Sequence, residues 1–330
     1  MYRRYHALRF ISAVCVLLIL AIACTPSAPP AATPMPLRVG LATWPGFGPG
    51  FIAQQKGYFK DLHVEFSILD DFSARQAAFT SNQTHLTIST IDTFAYETAK
   101  GVNGKAVMIL DESYGADAIV AKSGIQDAKA LKGKRIAFTK GSPSHFFLLV
   151  YLQKHGLALT DVTTIEVDDP GRAGEAFVSG SVDAAVTWEP NITQIVMSGK
   201  GHVLDSTKLT PGLIVDIMVV NPTVLAQRRN DVQKFVSGWL QAVADIDKDP
   251  KAAYATMAKG LKIPETEFPG MAGGLRYADR TTNDKWLGQN AQTGIDLFNQ
   301  ASMLWHAAGI IDKAPPGHDR LTGEFLTRIP

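Results

Sequence analysis

The chain has 330 residues, 46% hydrophobic and 19% charged, with a formal net charge of +1. This is ordinary globular composition with enough length for two domains. No basic run and no basic stripe with interleaved aromatics is present, which argues against nucleic acid as a partner.

The N-terminus reads as an export signal. Arg3, Arg4 and Arg9 stand without an acid in the first 23 residues, and residues 10–23 are apolar. That run is too short for a comfortable membrane span. It ends in Ala21-Ile22-Ala23-Cys24, which resembles a bacterial lipoprotein cleavage box, although Ala21 stands where Leu is usual. The alternative is an ordinary secretory signal cut nearby; both export the protein. Residues 24–36 continue as a Pro/Ala-rich tether that cannot bury apolar area. Cys15 lies in the leader, so Cys24 is expected to be the lipid attachment site and the sole cysteine of the mature chain. The folded body then has neither a disulfide nor a thiol nucleophile.

Residues 36–42 (PLRVGLA) predict a strand, followed by a Gly/Pro loop carrying Trp44 and Phe47. Residues 51–56 predict a helix that Gly57 ends. Gly46, Gly48 and Gly50 do not match a dinucleotide fingerprint, because the third glycine comes too early and Pro49 interrupts. A second strand follows at 64–69, then the loop of Asp70, Asp71 and Phe72. Ser73 with Gln76 predicts a capping box, and so a helix from Ala74. A third strand at 86–89 leads into Thr90 and Asp92 at a helix start. A strand at 107–110 then leads past Tyr114 and Gly115 into another at 118–121, read as the first crossing between lobes.

The second lobe opens with 135–139. Ser142 as N-cap and Pro143 at the first helical position predict a helix whose first turn carries Ser144 and His145 toward a cleft. A strand at 163–167 precedes Asp168 and Asp169, and a strand at 182–186 ends in Thr187-Trp188-Glu189-Pro190. Residues 213–220 form the return crossing, with Asp216 either paired internally or facing the cleft. From Asp231 onward the chain reads helical, with 267–279 irregular and a last amphipathic helix at 297–311 packing on the first lobe.

Residues 71–92 echo residues 169–190 without a gap. Asp71 matches Asp169, Ala78 matches Ala176, Phe79 matches Phe177 and Ser81 matches Ser179. Each copy reads as loop, helix, turn, buried strand and loop. Two lobes that present equivalent loops make a cleft, a favoured place for a small ligand. The candidate ligand-binding residues are Trp44, Phe47, Asp71, Thr90, Tyr114, Ser142, His145, Asp169, Trp188 and Glu189. No histidine pair has metal spacing, and HExxH, GxSxG and P-loop patterns are absent, so no catalytic residue, metal or cofactor is expected.

Three pieces carry a family resemblance. They are Trp44 to Phe59, with an aromatic-Pro-Gly loop and a helix ending Lys-Gly-Tyr-Phe; Leu131-Lys132-Gly133-Lys134-Arg135-Ile136; and Gly180-Ser181-Val182-Asp183-Ala184 leading to Trp188-Glu189-Pro190. Together they resemble the substrate-binding proteins of ABC importers in the nitrate/sulfonate/taurine and thiamine-precursor family, most similar to its riboflavin-binding members. The resemblance implies an α/β, two-lobed type II periplasmic-binding-protein fold with two crossing strands. Lobe 1 would be residues 37–115 and 215–330, and lobe 2 residues 116–214. It implies a receptor, expected to be monomeric and lipid-anchored on the extracytoplasmic face of the cell membrane. Such a receptor hands its ligand to a permease driven by an ATPase subunit. Lys140 and Arg172 are the cations expected near the cleft, against six acids there. With Trp44, Phe47, Phe72, Tyr114 and Trp188 available to stack, that balance favours a neutral heteroaromatic over a small anion, and the resemblance to the family's riboflavin-binding members then points to riboflavin or a related flavin. The alternatives are a thiamine pyrimidine precursor, an aromatic sulfonate or nitrate-type anion, and an enzyme on the same fold.

Overall fold

The computed structural model describes residues 35–326; the expected export signal, Cys24 and most of the expected tether lie outside the described residues. The chain alternates strands and helices as β1 (Leu37–Leu41), α1 (Pro49–Gln55), β2 (Val64–Ile68), α2 (Phe72–Thr80), β3 (Leu86–Thr90), α3 (Ile91–Ala99) and β4 (Lys105–Ser113). A second set follows: β5 (Asp117–Ala121), β6 (Arg135–Thr139), α4 (Pro143–Lys154), β7 (Thr163–Val167), α5 (Pro170–Val178), β8 (Ala184–Trp188), α6 (Asn191–Met197) and β9 (His202–Ser206). The chain then continues through β10 (Val215–Val220), α7 (Pro222–Gln227), α8 (Arg229–Ile246), α9 (Pro250–Leu261), α10 (Phe268–Ala272), β11 (Leu275–Tyr277) and α11 (Arg280–Ala307).

These strands form two sheets, one to a lobe. The first has the order β11-β4-β10-β3-β1-β2 and the second β7-β6-β8-β5-β9. In each, three parallel strands joined through helices lie beside the antiparallel strand by which the chain enters from the other lobe, β10 in the first and β5 in the second. Helices cover both faces, so central strands such as β3, β8 and β10 are buried along their whole length. In the second lobe the two faces make separate cores. Ile136, Phe138, Phe147 and Leu148 pack on one side, and Ala137, Phe177 and Ile192 on the other.

The chain leaves the first sheet at Ser113, enters the second at Asp117, and returns between Ser206 and Val215. Both passages are short irregular segments rather than continuous strands. Gly115, at φ +118°, makes the first turn possible. The Thr207 side chain ties the two passages together: its Oγ1 lies 2.7 Å from Ser113 Oγ and accepts from the Gly115 N–H at 2.8 Å.

Three local expectations need correction. Helix α2 starts at Phe72, because Asp71 accepts from the Ala74 N–H at 2.7 Å and so caps the helix itself. Gln76, expected in a capping box with Ser73, donates instead to Glu97 at 3.0 Å. The last helix is α11, 28 residues long and capped by Asp279, and it begins well before residue 297. Its polar first half, RTTNDKWLGQNAQTG, shows little apolar periodicity, which hid it. Residues 267–279, expected to be irregular, contain α10 and β11. Helix α11 packs on α3 and β4 of the first lobe, and its Trp305 also meets His145 and Phe146 of the second. Gly57, at φ +68°, follows α1 in the left-handed conformation expected of it.

Candidate functional site

The carboxyl ends of the parallel strands in both sheets converge on one cavity, where open α/β sheets hold ligands. It lies between walls from both lobes, and its free volume is small, about 40 Å³. The first lobe contributes Trp44 and Phe47 from the loop after β1, Phe72 and Arg75 from α2, and Ser89 and Thr90 from β3. It also contributes Thr93 from α3 and Asp216 from β10. The second contributes Asp117 from β5, Pro143 from the start of α4, and Trp188 from the end of β8.

Trp44 is held by a buried partner. Its indole N–H donates to both carboxylate oxygens of Asp111, at 3.1 and 3.2 Å. Gly46 lets the loop lie this close, since a Cβ there would fall 1.9 Å from Asp111 Oδ2. Asp111 stands opposite Asp216 on the neighbouring strand, and the two carboxyls are hydrogen-bonded to each other. Burial raises both well above the usual carboxylate range, and repulsion from Asp111 raises Asp216 further, so the pair holds a proton. Asp117 and Asp92 are each pushed up to about 7, mainly by burial.

Against these acids stands one buried cation. Arg75 is 5% exposed; it donates to the Leu69 carbonyl at 2.5 Å, and its guanidinium carbon lies 5.5 Å from the Phe72 ring centre. Burial lowers its pKa, opposed by the charges of Glu97, Asp70, Asp71 and Asp216. An arginine remains charged in such surroundings. The first turn of α3, opened by Thr90, adds N–H groups and the partial positive charge of a helix start.

Of the ten residues expected in the site, Trp44, Phe47, Thr90 and Trp188 line this cavity. The other six do not, and each has local work. Asp71 and Asp169 cap α2 and α5, and Asp169 also pairs with Arg172. Glu189 accepts from the Thr193 N–H and hydroxyl at the start of α6. Tyr114 sits in the first passage under the Arg276 guanidinium, 3.9 Å from its ring centre. Ser142 donates to the Thr139 carbonyl at 2.7 Å. His145 accepts from the Gly141 N–H, and its ring lies between Phe138 and Trp305; burial pushes its pKa down to about 3.

The expected cations are also displaced. Lys140 pairs with Glu166 and Arg172 with Asp169, while the cation in the cleft is Arg75. Sequence reasoning missed Arg75 and Asp117. Arg75 follows Phe72 by one helical turn, so both share one face of α2; that spacing was the available signal. Asp117 carried none, because its burial follows from pairing opposite Trp188 across β5 and β8. Among the described residues no group of three His, Cys, Asp or Glu could hold a metal, and no helix is long and apolar enough to cross a membrane.

Comparison with known proteins places these features in context. The family described as NMT1/THI5 like matches residues 44–253. A Bacillus subtilis (strain 168) protein that carries a provisional name as an aliphatic sulfonates-binding protein is 28% identical over 219 residues, 63% of this chain and 64% of the relative. The chain thus spans just under two thirds of that relative's length. Riboflavin-binding protein RibY of Chloroflexus aurantiacus is 24% identical, over 97% of this chain and 98% of its own length. Among solved structures, the alkanesulfonate-binding protein SsuA from Xanthomonas axonopodis pv. citri, bound to MOPS, aligns with a TM-score of 0.73 at 20% identity. That alignment covers 88% of this chain and 99% of SsuA, and shares the two-lobed type II periplasmic-binding-protein fold.

Proposed function

The chain belongs to the NMT1/THI5-like family, and on that premise we propose that it is the extracytoplasmic substrate-binding component of an ABC importer. It captures a small organic anion of the sulfonate class in the cleft and delivers it to a permease driven by an ATPase. The observation that carries this reading is Arg75: a buried guanidinium in the cavity wall beside Ser89, Thr90 and the first turn of α3. A charge held there gains from an anionic partner, and guanidinium with hydroxyls and helix N–H groups suits an oxyanion. Trp44, Phe47 and Trp188 give the organic part of the ligand an apolar enclosure. Arg75 also gives an anion a cationic partner in the cavity wall itself, which Lys140 and Arg172 do not.

A flavin remains the second reading. It is favoured by the four aromatic side chains around the cavity and by the nearly full-length match to RibY. In either case we place the protein outside the cytoplasmic membrane, acylated at Cys24, acting as a monomer without catalysis. Its arginine-bearing leader and Pro/Ala tether support that placement. Intrinsic tryptophan fluorescence of the purified chain tests the ligand class. Saturable one-to-one change with an alkanesulfonate, lost in Arg75→Met, supports the sulfonate reading. Response to riboflavin alone would transfer the site to a flavin.

A further inference from the structure

We infer that Asp111 and Asp216 form a proton-operated latch on the cavity wall: with a proton between the two carboxyls Trp44 is held in place to enclose a ligand, and without it the indole is released and capture fails. The binding half of this inference rests on the proposed receptor reading; the part concerning Trp44 does not.

Asp111 is fully buried and does not line the cavity, whereas Asp216 and Trp44 do. Asp111 therefore acts on a ligand through its neighbours, as a positioning residue. Its backbone is clamped, because β4 pairs with β10 on one side and β11 on the other, with Asp111 opposite both Asp216 and Tyr277. Its side chain is wedged as well. A Cβ at Gly46 would fall 2.4 Å from the Asp111 carboxyl carbon and 2.4 Å from the Trp44 indole nitrogen, so the loop that carries Trp44 lies directly on the carboxyl. Tyr277 ties the same loop, its hydroxyl donating to the Pro45 carbonyl at 3.3 Å.

Two buried carboxyls this close need a proton between them, since one can then donate to the other and two like charges are not forced together. The surroundings offer little other relief. Asp216 faces Asp92 on α3, Asp117 on β5 and the cation Arg75 on α2. Asp111 faces Asp117 and its chain neighbour Glu112, which is itself paired with Lys285. Burial raises both carboxyls, so the proton stays at neutral pH and leaves as the pH rises. Two bare carboxylates then repel across fixed strands. Asp111 cannot move without displacing Gly46 and the Trp44 indole, which touch it.

Nuclear magnetic resonance of the full chain in mild detergent, isotope-labelled in its tryptophans, reads the latch directly. The chain has five tryptophans, and the Trp44 indole N–H resonance is the one missing from Trp44→Phe. Without ligand, that resonance should shift or broaden between about pH 6 and about pH 9 in the unaltered chain, as the proton leaves. Asp111→Asn should lose that movement, because Asn offers Trp44 an acceptor and Asp216 a donor at every pH. Asp216→Asn, which donates to Asp111 in the same way, repeats the comparison should Asp111→Asn fold poorly. Calorimetry with ethanesulfonate and with riboflavin, neither of which titrates in that range, reads capture. Whichever probe binds should lose about tenfold more affinity over the range in the unaltered chain than in Asp111→Asn. The other acids of the cavity are present in both chains, so the difference belongs to the pair. A Trp44 resonance unmoved by pH in the unaltered chain would overturn the latch, as would equal pH profiles in the two chains. Binding of neither probe would overturn the proposed ligands, while the resonance still decides the latch.

Discussion

The two lobes share a framework and differ in what they place on it. Strands β1, β2 and β3 with α2 repeat as β6, β7 and β8 with α5, and Asp71 and Asp169 cap the two helices in the same way. At matched positions the chemistry diverges. Where the first lobe has Arg75, the second has Ala173, fully buried in its core. Where the first ends β3 in Thr90, which opens α3, the second ends β8 in Trp188. The first lobe thus supplies the cation and the helix start, and the second supplies an aromatic wall with Asp117 beside it. Sheet order is set by apolar strands and caps that tolerate both versions, while the cavity lining differs at a few positions near strand ends and helix starts.

Exchanging the divergent residues breaks the comparison hardest. Ala173→Arg should cost about 4 kcal/mol or more, since it overpacks a core and buries an unpaired charge; urea unfolding should show loss of the cooperative transition. Arg75→Met should weaken sulfonate binding by about 3 kcal/mol, roughly a hundredfold, as read by calorimetry, with the melting transition kept. A stable Ala173→Arg, or an Arg75→Met that binds normally, would dissolve the proposed division of labour.

A smaller effect sharpens the account of the acids. Asp117 has an ordinary value of 3.8 and a folded value of about 7. Its stability contribution is therefore complete below about pH 4 and is lost as pH rises toward 7, with no further loss above. His85 and His145, pushed down to about 4 and about 3 by burial, act in the opposite direction below their ordinary value. The difference between one variant and the parent isolates the term. Relative to the parent, Asp117→Asn should be stabilised by about 1–3 kcal/mol more at pH 8 than at pH 5, measured by chemical denaturation without ligand. A pH-independent difference would place Asp117 in contact with water.

The smallest expected effect concerns what the lobes share. Asp71→Ala and Asp169→Ala should each cost about 1 kcal/mol of stability, the usual loss of an N-cap. The Asp169–Arg172 pair adds little, because that arginine is mostly exposed. Unequal costs would show that the two caps carry different loads.

How much of this the sequence showed depends on the range of the interaction involved. The parallel strands, the Gly57 stop and the equivalence of Asp71 with Asp169 follow from neighbours in the chain, and they were readable there. Trp44 and Trp188 were readable because a large aromatic in a polar strand-end loop is conspicuous. Arg75 looked like any surface cation on a short helix; its burial arises from the packing of α2 against β1 and β3. The Asp111–Asp216 pair joins residues far apart in sequence through a strand register that no local pattern encodes. His145 misled because a helix's first turn has two sides, and Trp305, more than 150 residues away, claims the inner one.

The Thr207 hydroxyl, bonded to both Ser113 and the Gly115 amide, makes the two passages between the lobes one joint. Two independent connectors would let the lobes twist and slide as well as swing. A shared pin would favour a swing over a twist or slide. For the proposed receptor, a ligand's residence would then be set by one barrier, that of parting the two lobes at this joint.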